Sequence, residues 1–237
     1  VVYNGKSHQQ KPVVKDGDEA LVEGTDYTLS YSGDTTNVGT VTVTVTGKGN
    51  YSGTTTVTYE ITKAPVTLTS DSKEFTYNGQ DQSLPNVTVT GDAAELFKSQ
   101  VEGLTATGKV KNAGDEATNS IAYSWKKGFT EDNFGITKNE GKLTAKAKAL
   151  SAIAVDSPSD ATYDGQEHKW LPTVTDGGAV LAEGTDYTVS YDKTDFTNVT
   201  GTITVTIKGA GNYSGEVTRA YEIEPATAMV TTDSDSK

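Results

Sequence analysis

"VTVTVTGKGNYSGTTTVTYEI", residues Val41–Ile61, consists of two alternating segments separated by a glycine-rich turn. Apolar residues occupy every second position: Val41, Val43 and Val45 in the first segment, and Val57, Tyr59 and Ile61 in the second. A period of two is the signature of a β-strand with one face toward a core and the other toward water. It is typical of antiparallel sheets, since parallel strands are usually apolar on both faces. The stretch therefore predicts a β-sandwich hairpin with these six residues in the core.

The turn "GKGNYSG", Gly47–Gly53, admits three interpretations. A phosphate-binding loop needs a helix directly after the glycines, but the residues that follow are alternating and β-branched. "NYS" at Asn50 and Asn212, and "NVT" at Asn86 and Asn198, fit the glycan acceptor sequon. We favour a structural turn in which glycine and asparagine take positive φ angles and Tyr51 closes the end of the sandwich.

The same pattern returns downstream, so the chain is a tandem repeat. "YNGKSHQQKPVVKDGDEALVEGTDYTLSY" from Tyr3 matches "YDGQEHKWLPTVTDGGAVLAEGTDYTVSY" from Tyr163, and "GNYSG" around Tyr51 matches "GNYSG" around Tyr213. A diverged relative, "YNGQDQSLPNVTVTG" from Tyr77, lies between them. We predict three domains: a first repeat (1–63), a diverged middle repeat (64–148) and a third repeat (149–225), followed by the start of a further repeat or a linker (226–237).

The fold class predicted is all-β, with three tandem Ig-like antiparallel sandwiches in an elongated array. The junctions "EITKAPVTL" and "LTAKAKALSAI" contain no flexible Gly/Ser tether. The exception to strand periodicity is "GDAAELFKSQVEG", residues 91–103, whose helix formers predict a short helix. Only two residues precede Tyr3, whereas "LSAIAVDSPSDAT" precedes Tyr163. We therefore expect the first domain to lack its opening strand and to expose an unpaired edge or an apolar groove.

Composition excludes several classes of function. The 237 residues include no cysteine, which rules out disulfides, a thiolate nucleophile and cysteine-bound zinc. A net charge of −12 disfavours nucleic acid and anionic membranes as partners. The apolar runs are too short to span a bilayer. We expect a monomer that contacts neighbouring repeats of its own chain.

No arrangement of residues predicts catalysis or a cofactor. The histidines, His8 and His168, occupy equivalent places in two repeats, which favours a structural role. The same two acids also recur in both repeats: Glu23 and Asp26, then Glu183 and Asp186. A glycosidase could use such a pair, but recurrence within "EGTDYT" favours turn and capping roles. We predict a protein that is not an enzyme, with no catalytic residues and no cofactor.

Calcium is the one metal for which the sequence contains a candidate loop. "DGDEALVEGTD", residues 16–26, supplies many oxygens but lacks the alternating order of a calcium loop. The third repeat has Gly178 and Ala179 where the first has Asp18 and Glu19. A metal site is therefore not predicted.

Two tryptophans are candidates for different roles. Trp170 stands where the first repeat has Gln10, and a position that accepts both residues is unlike deep core. An exposed tryptophan can stack on a sugar, pack on a neighbouring domain or have no role. Trp170 is the ligand-binding candidate. Trp125 shares the parity of Ile121 and Tyr123 and is predicted to lie in the core.

The recurring elements "Y[ND]G", "EGTDYT[LV]SY" and "GNYSG" resemble the tandem Ig-like, MBG-type repeats of bacterial cell-surface adhesins. The resemblance covers essentially the whole chain, and its motifs are specific as a set. It implies a secreted, extracellular, wall-associated stalk or adhesive segment, with a host or microbial surface molecule such as a glycan as its ligand. The alternative is a carbohydrate-binding β-sandwich module attached to a secreted enzyme.

Overall fold

The computed structural model describes residues 1–231. Its regular secondary structure is almost all short strands, with one helix and two single-turn 3-10 helices, which confirms the all-β class and the tandem sandwich repeats. The chain forms two compact units. The first comprises 1–73, 83–109 and 118–142, and the second comprises 74–82, 110–117 and the residues from 143 onward.

The first repeat lies wholly in the first unit and the third repeat in the second, whereas the middle repeat contributes to both. The three-domain division at 1–63, 64–148 and 149–225 stays a prediction. Residues 232–237, on which part of the predicted 226–237 segment falls, lie outside the described residues. Residues 226–231 are exposed and form no strand.

The first repeat forms a short hairpin and a three-stranded antiparallel sheet. Its strands are β1 (Lys15–Asp16), β2 (Glu19–Ala20), β3 (Tyr27–Ser32), β4 (Gly39–Gly47) and β5 (Thr54–Ile61). β4 is central, and Tyr27 lies opposite Gly47 while Gly39 lies opposite Ile61. The valines of β4 are buried as predicted, but Val57 in β5 is 46% exposed. Its predicted place in the core is wrong, because no described segment covers this part of β5.

The middle repeat contains the helix and most of the remaining short strands. Its elements are β6 (Ala64–Ser70), β7 (Lys73–Thr76), β8 (Gln82–Ser83), β9 (Val87–Thr90), α1 (Ala94–Gln100), β10 (Val101–Ala106), β11 (Lys109–Val110), β12 (Glu116–Asn119), β13 (Ile121–Trp125), a 3-10 turn (Glu131–Asn133), β14 (Phe134–Asn139), β15 (Gly141–Lys146) and β16 (Lys148–Ala149). β6 pairs with both β14 and β9, and β10 pairs with β13. The helix predicted within residues 91–103 is confirmed as α1.

The third repeat repeats the sheet of the first. Its elements are a 3-10 turn (Leu150–Ala152), β17 (Ala154–Val155), β18 (Ala161–Thr162), β19 (Val174–Asp176), β20 (Ala179–Val180), β21 (Tyr187–Tyr191), β22 (Ile203–Gly209), β23 (Tyr213–Ser214), β24 (Glu216–Tyr221) and β25 (Ile223–Glu224). The order β21–β22–β24 corresponds to β3–β4–β5. Here the hairpin partner β19 also pairs with β17 on its other edge.

The sequence periodicity predicted antiparallel sheets, but some of the strand pairs are parallel. β6 pairs in parallel with β14 over six residues, and β18 pairs in parallel with β25. The bridge between Val2 and Thr62 is the equivalent parallel contact in the first repeat. Parallel strands cannot be joined by a tight hairpin, so each of these contacts joins segments that are far apart in the sequence.

The recurring "Y[ND]G" element is a tight turn closed by its own side chain. The side-chain oxygens of Asn4, Asn78 and Asp164 each accept a hydrogen bond from the backbone N–H two residues later, at 2.8–3.0 Å. The glycine that follows has a φ between 76° and 80° in all three repeats, which explains why glycine recurs there. The bonds from Gln166 and His168 hold the pKa of Asp164 below its usual value.

The "GNYSG" turn is confirmed as structural in both repeats where it occurs. The N–H of Gly47 donates to the carbonyl of Gly53 at 2.9 Å, and the bond between Gly209 and Gly215 has the same length. A Cβ on Gly47 would lie 2.8 Å from the backbone nitrogen of Ser52, which is too close for any side chain. Among residues 1–231 only glycines take positive φ, so the part predicted for asparagine is wrong. Tyr213 is buried and Tyr51 half-buried.

Each unit has its own hydrophobic core. In the first unit, one cluster joins Tyr3, Val41 and Ile61 of the first repeat to Leu68 and Phe97 of the middle repeat. The core of the second unit is built around the β-strand residues of the third repeat and Leu150. Trp125 is half-buried and packs on the first cluster, stacked on Phe134 with ring centroids 5.6 Å apart, so it lies at the edge of the core where it was predicted to lie inside it.

Candidate binding site

Trp170, the predicted ligand-binding residue, lies in the loop between β18 and β19. Its side chain is half-buried and packs against the hydrophobic core of the second unit. Its neighbour Leu171 is 67% exposed. Trp170 therefore presents only part of its surface to solvent, and the sugar-stacking role stays a prediction.

The backbone of the Trp170 loop is held by two buried or half-buried tyrosines. The hydroxyl of Tyr191 donates to the carbonyl of Trp170 at 2.7 Å, and the N–H of Trp170 donates to the hydroxyl of Tyr221 at 3.3 Å. In the first repeat, the hydroxyl of Tyr31 donates to the carbonyl of Gln10 at 3.0 Å. Since the fold uses the backbone at this position, the side chain can differ between repeats without a change of loop.

A cation and two aromatic rings adjoin this loop, and the sequence analysis did not single them out. The ammonium of Lys169 lies 4.8 Å from the ring centroid of Tyr191 and 5.3 Å from that of Phe196. The two rings meet edge to face at 5.0 Å. Cation–π contact of this kind fixes the lysine stem over the rings. Phe196 lies in a loop without strand periodicity, so no sequence signal placed it here.

Replacing Trp170 with the glutamine of the first repeat should destabilise the second unit modestly. We expect Trp170→Gln to lower its free energy of unfolding by about 1–2 kcal/mol, because only the packed part of the indole is lost. Urea unfolding followed by circular dichroism measures this change. Leu171→Gln is the matched control and should change it by less than about 0.5 kcal/mol. Equal effects of the two variants would show that the indole packing contributes nothing.

A second cluster joins Lys148, Asp176 and Tyr213. The Lys148 ammonium lies 2.5 Å from Oδ1 of Asp176, and the Tyr213 hydroxyl donates to Oδ2 at 3.2 Å. Burial, and then the charge of Asp176, raise the pKa of Tyr213. Both carboxylate oxygens are engaged by donors, so the cluster ties the segment that contains Lys148 to β19 and β23. In the first repeat, the Tyr51 hydroxyl donates to Asp16 at 3.4 Å.

Three of the four acids considered for catalysis, Glu23, Asp26 and Asp186, have side-chain partners in the fold. Asp26 accepts a hydrogen bond from the N–H of Val22 at 2.8 Å, and Asp186 accepts one from Ala182 at 2.9 Å. These are the capping bonds expected of "EGTDY". Glu23 pairs with Lys11 at 2.8 Å on the surface. The absence of catalytic function stays a prediction.

The two histidines and a possible metal site are the remaining candidates from the sequence. The backbone N–H of His8 donates to Thr35, and that of His168 donates to Phe196, at 2.7 and 2.8 Å, so the two histidines occupy equivalent positions. Within residues 1–231, no group of three or more His, Asp or Glu is arranged to hold a metal ion. In the same part of the chain, no helix has the length and apolar character needed to cross a membrane.

Comparison with known proteins gives structural likeness only. No protein-family model matches the chain, and no curated protein sequence matches it. Similar solved structures include PcdhgB3 EC1-4 (10% identity, covering 87% of this chain and 66% of that one, TM-score 0.24) and protocadherin gamma B2 extracellular cadherin domains 3–6 (9%, 87%, 66%, 0.26). A protocadherin gammaB7 EC3–6 cis-dimer is 11% identical, with coverage of 94% and 76% and a TM-score of 0.26. The chain spans just under two thirds of the first two structures, and the likeness carries no argument about its function.

Proposed function

We propose that this chain is a non-catalytic stalk or adhesive segment of a secreted bacterial cell-surface protein, located outside the cell and associated with the cell wall. The observation that carries the proposal is that the residues recurring between repeats make internal bonds of the fold. The turn of "Y[ND]G", the capping aspartate of "EGTDY" and the close glycine of "GNYSG" all do so.

A repeat whose recurring residues build turns and cores is suited to extending a chain by adding copies of itself. The resemblance of these motifs to MBG-type adhesin repeats supports the extracellular and bacterial part of the proposal. The junction between β5 and β6 is only two residues long, Thr62–Lys63, which leaves little freedom between consecutive strands. Such short junctions favour a spacer that holds an adhesive tip at a distance.

Small-angle scattering tests the stalk. A rod of three domains, each about 35 Å long at roughly 3.3 Å per strand residue plus end loops, has a radius of gyration well above that of a globule. A compact 237-residue domain has a radius of gyration of ~18 Å. We expect a monomer with a value of about 30 Å. A value near the compact figure would refute the rod.

The carbohydrate-binding alternative makes a different prediction for the same protein. On a glycan array, a stalk that acts only as a spacer is expected to bind no glycan specifically, whereas a module that uses Trp170 would bind a defined set of glycans. That binding would be lost in Trp170→Gln and kept in Leu171→Gln. Such a pattern would replace the stalk with a carbohydrate-binding module.

A further inference from the structure

The third repeat is completed by residues 148–156, called here the donor segment. β16 pairs in parallel with β23, and β17 pairs antiparallel with β19, so the segment joins two sheets. Leu150 is fully buried, and Ile153 and Val155 pack against the same core. Arg219 of β24 donates from Nε and Nη2 to the carbonyls of Asp156 and Val155, both at 3.1 Å.

The equivalent surface of the first repeat is open, and is called here the acceptor groove. Within residues 1–231, β1 pairs only with β2, although its counterpart β19 also pairs with β17. Two depressions of about 330 and 310 Å³ lie along β4 and β5. Their apolar lining includes Val14, Leu21, Val43, Val45 and Val57.

Burial differs between the two repeats where the donor segment would lie. Val14 is half-buried, whereas its counterpart Val174 is fully buried. Thr55 is exposed, whereas its counterpart Val217 is half-buried. Val57 stands in place of Arg219, and its exposed isopropyl group offers an apolar contact instead of hydrogen bonds. The five strands of the first repeat have counterparts in β19–β22 and β24, so the difference in burial reflects the cover that the donor segment provides.

Charge at one end of the acceptor groove matches the donor segment. Lys148 pairs with Asp176 in the third repeat, and Asp16 is the exposed counterpart of Asp176. The Tyr51 hydroxyl donates to Asp16 at 3.4 Å at this end of the groove. Burial raises the pKa of Tyr51, and the nearby charges of Asp16, Asp26 and Glu19 raise it further. A basic residue at the start of an added strand would therefore lie near Asp16, as Lys148 lies near Asp176.

We propose that the acceptor groove binds an extended peptide strand of the donor-segment type: a basic residue followed by apolar residues at the positions of Leu150, Ile153 and Val155. Its backbone would pair with the free edge of β1 and its apolar side chains would cover Val14 and Val57. Strand addition of this kind takes affinity from main-chain hydrogen bonds and specificity from side-chain pockets. The inference does not depend on the proposed stalk function.

The test uses the full chain and a synthetic peptide of residues 148–157, KALSAIAVDS, labelled at its C-terminus. We expect a saturable rise in fluorescence anisotropy on titration. Val57→Asp should weaken binding about tenfold or more, because a charge would replace an apolar contact under the strand. Val57 is already exposed, so this variant should fold, and circular dichroism checks that it does. Val180→Asp, at a position 72% exposed in the third repeat, is the matched control and should bind normally.

Peptide variants complete the experiment. Aspartate in place of the residues equivalent to Leu150 and Ile153 should abolish binding, and glutamate in place of the lysine should weaken it. No saturable binding, or equal binding by Val57→Asp, would overturn the proposal. Light scattering tests a second copy as the occupant. If the chain fails to bind peptide but self-associates through a contact that Val57→Asp removes, the groove belongs to a dimer interface and the proposal is wrong.

Discussion

Phe97→Ala is expected to destabilise the first unit by about 3–5 kcal/mol, the usual cost of emptying a fully buried phenylalanine site. Phe97 is inaccessible to solvent. Its ring centroid lies 5.3 Å from that of Tyr123, 5.6 Å from that of Trp125 and 5.5 Å from that of Phe134, all edge to face. Removing the ring therefore loses three aromatic contacts and leaves a cavity that β-strands on several sides cannot collapse to fill.

The two tryptophans make the measurement specific to one unit. In a Trp170→Phe background, Trp125 is the sole tryptophan, so its fluorescence during urea unfolding follows the first unit. Phe129→Ala is the control, because Phe129 is 43% exposed, and it should change the free energy of unfolding by less than about 1 kcal/mol. Similar losses for Phe97 and Phe129 would mean that the ring cluster does not stabilise the unit.

Asn119→Ala should have the second large effect, a loss of about 3 kcal/mol or more, because it leaves three backbone groups without a partner. Asn119 is completely buried. Its Nδ2 donates to the carbonyls of Asp71 and Leu84 at 3.1 and 3.0 Å, and its Oδ1 accepts from the N–H of Gly108 at 3.1 Å. One amide thus satisfies three segments that are far apart in the sequence.

The same Trp125 fluorescence assay measures the Asn119 variant. Asn139→Ala is the matched control, since Asn139 is exposed at the end of β14, and it should be within about 0.5 kcal/mol of the parent. If Asn119→Ala had the same free energy of unfolding as this control, the amide would be dispensable. That result would mean that water replaces the side chain in all three bonds.

Much of the fold could be predicted because its signals are local. The pleat of a strand places alternate side chains on opposite faces, so the burial of Val41, Val43 and Val45 follows from their spacing. The helix α1 follows from a run of helix formers between glycines. The acids of "EGTDY" were predicted to cap turns, and Asp26 does so through a bond to a residue only four positions away.

The candidate site was less predictable. The comparison of Trp170 with Gln10 indicated a position outside the deep core, and the indole is half-buried. The contact of Lys169 with Phe196 could not be predicted. It joins the loop between β18 and β19 to the loop between β21 and β22, and these loops meet only in the folded state.

The sequence by itself determined the strand period, the repeat and its turns, since each depends on residues within a few positions of one another. Only the tertiary structure decided what covers each face. Val57 and Arg219 occupy the same place in the same pattern, yet Arg219 binds the donor segment and Val57 is exposed. Asn119 likewise looks like any polar strand residue until three distant segments meet around it. Alternating apolar and polar residues indicate that one face of a strand is apolar. Burial of that face also requires a second surface, which is formed by segments that are distant in the sequence.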